Sequence, residues 1–262
     1  MKTSALKFLL IATLATSLSA QTVTLFDTSF TASDGWFDGG INFGGDNPDS
    51  LIGQGGMSLS DTATTGILNG ASSFNRALFG WNSGFSEAEV LALDIGSTIS
   101  VAATGVTISA GGNNNFVLGL SNVDDGNILG NSSMADGGHL TSDGTNIFAQ
   151  NSNFSVDTAG RIDTGVDVGE TFNYEVRFTA TAAEIFTVEQ IINGNLIFSE
   201  TGQSFNFSNS GTQAVGHFQD FGGGAATIDA LSFSYTAVPE PNQFALLFGV
   251  LGIGFAVTRR RL

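Results

Sequence analysis

The chain has 262 residues, with eight Lys and Arg against 24 Asp and Glu, a formal net charge of −16 and no cysteine. That balance excludes a nucleic-acid partner and an anionic lipid surface, because both are held by clustered Lys and Arg. The missing cysteines exclude disulfides, thiol catalysis, cysteine-held zinc and iron–sulfur clusters, so stability has to come from packing.

Residues 1–20 open with Lys2 and Lys7, continue through the mostly apolar Phe8–Leu14 and end on Ser17-Leu18-Ser19-Ala20. This is the pattern of a secretory signal peptide, with Sec export and signal peptidase as the implied partners and Ala20–Gln21 as the favoured cut. The stretch that follows, Gln21–Ala237, is long enough for one sizeable core and suits a single all-β domain. Only Arg76, Arg161 and Arg177 remain in it as cations, against 23 acidic residues, a net charge of −20. It contains no lysine, which removes phosphate-loop chemistry.

Along the body, runs of alternating residues are separated by turn residues. Trp36 in Asp34-Gly-Trp-Phe-Asp38 and Trp81 in Phe79-Gly-Trp-Asn-Ser-Gly84 fall in Gly-rich loops. An indole there either stacks on a sugar ring or, more commonly, plugs the end of a sandwich. Asp46-Asn47-Pro48-Asp49 and Asp124-Asp125-Gly126-Asn127 are oxygen-rich turns. Calcium takes six to eight oxygens from such loops, so weak structural calcium is expected nearest Asp124 and Asp125, with no other cofactor. Ser86-x-x-Glu89 is a capping box that predicts one or two helical turns over Ser86–Leu93.

Ser97–Ser109 is a Val/Ile/Thr run, and Phe116, Leu118 and Leu120 alternate with smaller residues as in a half-buried strand. His139, in Asp136-Gly-Gly-His, falls in a predicted loop. Phe172, Tyr174, Val176 and Phe178 alternate with Asn173, Glu175, Arg177 and Thr179. Ile185–Ile192 and Asn195–Glu200 flank Asn193-Gly194, the strongest short hairpin signal. His217 falls in the strand-like Ala214–Phe221, and Leu231, Phe233 and Tyr235 alternate in a closing strand, Ala226–Tyr235. The order strand, Asn-Gly hairpin, loop, closing strand resembles the end of a concanavalin A-like jelly roll. The resemblance implies an all-β, jelly-roll-like antiparallel β-sandwich.

The last stretch, 238–262, has three parts. Pro239-Glu240-Pro241 is an extended spacer, since proline fixes φ and donates no hydrogen bond. Phe244–Val257 is an apolar run of 14 residues, short of the roughly 20 that a relaxed spanning helix needs. Arg259, Arg260 and Arg261 mark a cytoplasmic end by the positive-inside rule. Together these resemble the PEP-CTERM sorting signal of Gram-negative bacteria. Asn242, after the second proline, and Leu262, after the arginines, are small departures. The resemblance implies an exosortase that recognises the tail and cuts near Pro239, Glu240 and Pro241. It also implies a route: export across the inner membrane, transient anchoring by a short transmembrane helix, then release to the cell surface or extracellular matrix, alongside exopolysaccharide.

No catalytic set stands out. There is no Gly-x-Ser-x-Gly elbow, no His-Glu-x-x-His and no Glu-x-Asp-x-x-Glu strand of the laminarinase-like glucanases, and Glu87 and Glu89 belong to the helical turn. The leading expectation is therefore a non-enzymatic surface or matrix protein. A carbohydrate-binding jelly-roll module is the alternative, and a glycosidase the third reading.

Overall fold

In Thr171–Ala182, Phe172, Tyr174, Val176, Phe178 and Ala180 are buried while the residues between them are not, and that period-two pattern is what an antiparallel strand with one covered face requires. The computed structural model describes residues 20–28, 52–62, 65–79, 86–108, 115–123, 134–150, 160–205, 213–221 and 226–238. In these the chain forms β1 (Gln21–Thr28), β2 (Ile52–Thr62), β3 (Thr65–Phe79), α1 (Glu87–Leu91), β4 (Thr98–Ile108), β5 (Asn115–Val123), β6 (Met134–Ser142) and β7 (Asn146–Gln150). There follow β8 (Ile162–Asp167), β9 (Thr171–Ala182), β10 (Ile185–Ile192), β11 (Asn195–Gln203), β12 (Gln213–Phe221), β13 (Ala226–Ile228) and β14 (Ala230–Ala237). Val23–Tyr235 is one compact unit.

The hydrogen-bonded path runs β11-β10-β9-β4-β13-β3-β12-β5-β6-β7-β8, with β2 on β3 and β14 between β4 and β1. Strands far apart on that path nevertheless pack together: β10 lies against β6, β9 against β5, and β11 against β7 and β8. The sheet has folded over on itself into a two-layered β-sandwich. β3 is the corner. Its Leu68 and Asn69 pair with Ile228 and Thr227 of β13 in one layer, and its Phe74–Phe79 pairs with β12 in the other. Strands that switch layers are a known way of closing such sandwiches.

Between the layers sits one cluster that includes Phe79, Ile99, Val101, Phe116, Leu118, Leu140, Tyr174, Phe178, Leu231 and Phe233. Tyr174 meets Phe116 edge-on at 5.8 Å, and Phe205 caps Phe178 and Phe186 at 5.2 and 4.4 Å. Phenylalanine fills this volume without bringing polar atoms that would need partners.

The turn and cap signals hold. Asn193 and Gly194 have φ of 50° and 79°, the type I′ geometry that joins β10 to β11. Asn193 also ties the turn to β9, since its Oδ1 accepts from the Asn173 amide at 2.9 Å. Ser86 caps α1: its amide donates to Glu89 Oε2 at 2.7 Å, and its Oγ accepts from the Glu89 amide at 3.2 Å. The bond from the Ser86 amide, then that from its hydroxyl, holds the Glu89 carboxyl below its usual range.

Three expectations need correction. β5 is not half-buried: Phe116 to Ser121 are all buried, on both faces. His139 is not in a loop but inside β6, paired with Val117 of β5 and Gln150 of β7. The closing strand is broken at Asp229, whose amide donates to Thr104 O across an irregularity in β4.

Candidate functional site

The layer that contains β5, β6 and β7 turns Phe116, Leu118, Leu140, Ile147 and Ala149 toward the core. The cross-strand register decides what shares the opposite face. Gln54 of β2 pairs with Arg76 of β3, Arg76 with Gln219 of β12, Gln219 with Val117, Val117 with His139 and His139 with Gln150. Arg161 stands one residue beyond the Ile162–Ala149 pair and so extends the row past Gln150. His217 pairs with Gly119. His139, Gln150 and Arg161 thus stand in one row across β6, β7 and the lead-in to β8. The body's third arginine, Arg177, is on β9, where it pairs with Glu175 at 3.0 Å and Glu189 at 3.7 Å.

This face is not an open platform where it is described. Val117 is 0% exposed, and His139 and Gln150 are 3% exposed each. Toward β8 the row reaches water: Arg161 is only partly buried, and next to it Gly160 is exposed and Ile162 is 41% exposed. The arrangement is a row running from the surface into the interior.

Its hydrogen bonds fix the chemistry. Gln150 Nε2 lies 2.6 Å from His139 Nδ1. With the amide as donor, Nδ1 is the acceptor and the ring is neutral. Burial, reinforced by the charge of Arg161, lowers the His139 pKa to about 4, which agrees with that neutral ring. The amide thereby turns its oxygen away, and Gln150 Oε1 is buried without a hydrogen-bond partner, as is Arg161 Nε. On the core side, Gln190 Nε2 donates to Gln150 O at 2.6 Å, and Tyr174 Oη donates to Gln190 Oε1 at 2.9 Å. Burial raises the Tyr174 pKa well above its ordinary value, so it stays a phenol. The backbone of Gln150 is pinned from the core, while its side-chain oxygen stays an unused acceptor.

Among the described residues no group of His, Asp and Glu could hold a metal ion, and no helix is long and apolar enough to cross a membrane. Trp36, Trp81, Asp124, Asp125, Pro239, Glu240, Pro241 and Arg259–Arg261 lie outside the described residues, as do the expected signal peptide and the apolar run at 244–257. The Gln150–Arg161 pair was not anticipated. Its one sequence signal is the scarcity of arginine in the body, which makes each arginine a candidate.

No protein-family model matches the sequence, and no curated protein matches it. Solved structures resemble the fold. A carbohydrate esterase from the Shiga toxin-encoding bacteriophage phi24B is 14% identical, with 82% of this chain and 99% of that chain covered and a TM-score of 0.50. A protein of unknown function from Shewanella oneidensis is 15% identical over 85% of this chain and 90% of that chain, with a TM-score of 0.47. Peanut lectin, in complex with a nine-residue peptide, is 12% identical over 82% and 98%, with a TM-score of 0.43. At these identities the likeness is one of fold, and the first of them supports the sandwich expected for the body.

Proposed function

We propose that this protein is an exported surface protein whose jelly-roll body binds carbohydrate. The observation that carries the reading is that Gln150 Oε1 and Arg161 Nε, at facing register positions of β7 and the lead-in to β8, are both buried without a hydrogen-bond partner. Sugars are recognised by a few such fixed polar groups. The fold-level likeness to a carbohydrate esterase supports the reading as analogy only. A structural role in an exopolysaccharide-associated matrix is the alternative, favoured by the body's charge of −20. No reaction is proposed. Binding to a polysaccharide array, saturable and competed by the free oligosaccharide, is the expected result. An array with no bound glycan would leave the matrix role in its place.

Delivery follows from the two ends of the sequence: Sec export and signal peptidase at the first, an exosortase at Pro239–Pro241 and orientation by Arg259–Arg261 at the second. An apolar run of 14 residues is short for a permanent span and adequate for holding a substrate before a membrane enzyme. Intact-mass measurement of surface material from the host should show a chain that starts near residue 21 and ends near Pro239–Pro241. A mature chain still ending in Arg-Arg-Arg-Leu would reduce the tail to an ordinary anchor.

A further inference from the structure

We propose that Asn193 is an intramolecular deamidation site, which the fold holds silent and which opening of the edge strand β11 releases. The reagents are the main-chain nitrogen of Gly194, hydroxide and water. The deprotonated Gly194 nitrogen attacks Asn193 Cγ, a C–N bond forms, and the side-chain nitrogen leaves as ammonia. Water then opens the five-membered imide. Cleavage at Cγ gives an ordinary aspartate. Cleavage at the main-chain carbonyl gives isoaspartate, in which the chain runs through the side-chain carbons. One water is consumed, one ammonia is released, and nothing is oxidised or reduced.

The sequence supplies the reactivity. Glycine after the asparagine brings no Cβ to crowd the attacking nitrogen. Asn193 and Gly194 are both exposed, and a Cβ built on Gly194 would meet nothing within 4 Å, so water reaches the turn. The fold withholds that reactivity. With φ of 50° and 79° the turn is type I′, joining Ile192 to Asn195. Such a turn, the mirror image of type I, sets ψ of its first central residue near about +30°. The Gly194 nitrogen then lies on the far side of the Asn193 Cα from Cβ, whereas ring closure needs it on the same side. The carboxamide is tied as well. Asn193 Oδ1 accepts from the Asn173 amide at 2.9 Å, and the Asn193 amide donates to Asn173 O at 3.0 Å. Cyclisation therefore waits for the turn to unwind.

Unwinding has a route short of global unfolding. β11 ends the hydrogen-bonded path, with β10 as its neighbour there. Its first residue is exposed, Leu196 is 56% exposed, and Ile197 and Phe198 are only partly buried against the core. Elements with few buried contacts open at a lower free energy than the whole molecule. The two products then differ. Aspartate keeps an oxygen for the Asn173 amide and an ordinary backbone. Isoaspartate adds a methylene to the main chain of a turn whose geometry is fixed by having two residues. Ile192 and Asn195 then no longer meet in their present register, and the edge strand stays open. The site thus records openings of β11 and makes some of them permanent.

The test incubates the full chain at mildly alkaline pH, folded and in urea, and follows deamidation of Asn193 by peptide mass. The chain's other Asn-Gly pair, Asn69-Gly70, is the internal reference, because Asn69 lies within the sheet between Ser58 of β2 and Thr227 of β13. In urea the two sites should react at similar rates. In the folded chain Asn193 should react about tenfold or more slowly than in urea, yet faster than Asn69. Phe198→Ala, which loosens β11 from the core and leaves the turn residues alone, should speed Asn193 several-fold and Asn69 not at all. Equal rates for Asn193 folded and in urea would overturn the proposal, as would a folded chain in which Asn69 reacts first. A Phe198→Ala effect that is absent, or shared equally by Asn69, would overturn the edge-strand route. Hydrogen exchange reads the consequence: the isoaspartate form should lose protection along β11, and Asn193→Asp should keep it. An isoaspartate form with β11 still protected would overturn the permanent opening.

Discussion

Lowering the pH from 7.5 to 4.5 should cost the folded protein about 2.5 kcal/mol through one side chain, His139. The ring is 3% exposed, and burial, with Arg161 adding to it, sets its pKa at about 4 against an ordinary 6.5. The unfolded chain therefore takes up the proton first. Stability from this group is complete above pH 6.5, declines as the pH falls toward 4 and is flat below that, where both states are protonated. At about 1.4 kcal/mol per unit, most of the loss is complete by pH 4.5. Carboxylates also titrate, but those held low, such as Glu89 and Asp143, lose their contribution further down. The body's self-repulsion also eases on acidification, so the quantity to measure is a difference. Urea unfolding of the native chain and of His139→Gln at both pH values should show the extra loss only in the native chain. Parallel pH dependences would mean that His139 is not held neutral by its surroundings.

Gly138→Val should destabilise the fold by about 4 kcal/mol, combining overpacking with a stranded buried polar group. A Cβ on Gly138 would overlap Tyr174 Oη and lie 2.7 Å from Val176 Cγ2 and 2.9 Å from Gln190 Cγ. The new side chain has to displace Tyr174, which donates to Gln190, which in turn holds the Gln150 backbone. The loss therefore spreads from core packing to the polar row on the other side of the sheet. Gly160→Val, where an added Cβ meets nothing within 4 Å, is the matched control. Urea midpoints that place the two variants together would show that the approach of Tyr174 to β6 is not tight.

What was legible in the sequence was local. The alternation at Phe172–Phe178, the Asn193-Gly194 turn and the Ser86–Glu89 cap each need only a few consecutive residues, and each appears as read. β6 was misread for a physical reason. Gly137-Gly138 is an ordinary turn signal, but here a Cβ on Gly137 would strike Leu118 O and one on Gly138 would strike Tyr174. These glycines mark close approach within a strand, which the sequence does not distinguish from a turn. Strand β5 was misjudged because burial of its second face depends on the rest of the fold. The polar row was out of reach for the same reason: it joins residues from six strands and the lead-in to a seventh by register alone. The motifs that were legible as sites, from Trp36 to Arg261, lie outside the described residues.

The corner strand also sets the order in which the molecule can form. β3 is made early, but its partners on the far edge, β12 and β13, are made near the end of the body, and β4 waits for β9. The layer with β12 cannot close until residue 221 is available, nor the layer with β13 until residue 228. Pairings this distant in sequence make folding slow, because the chain must be gathered before they compensate for the lost freedom. A polypeptide that emerges N-terminus first therefore stays open and threadable for most of its length, the condition that passage through a membrane channel imposes.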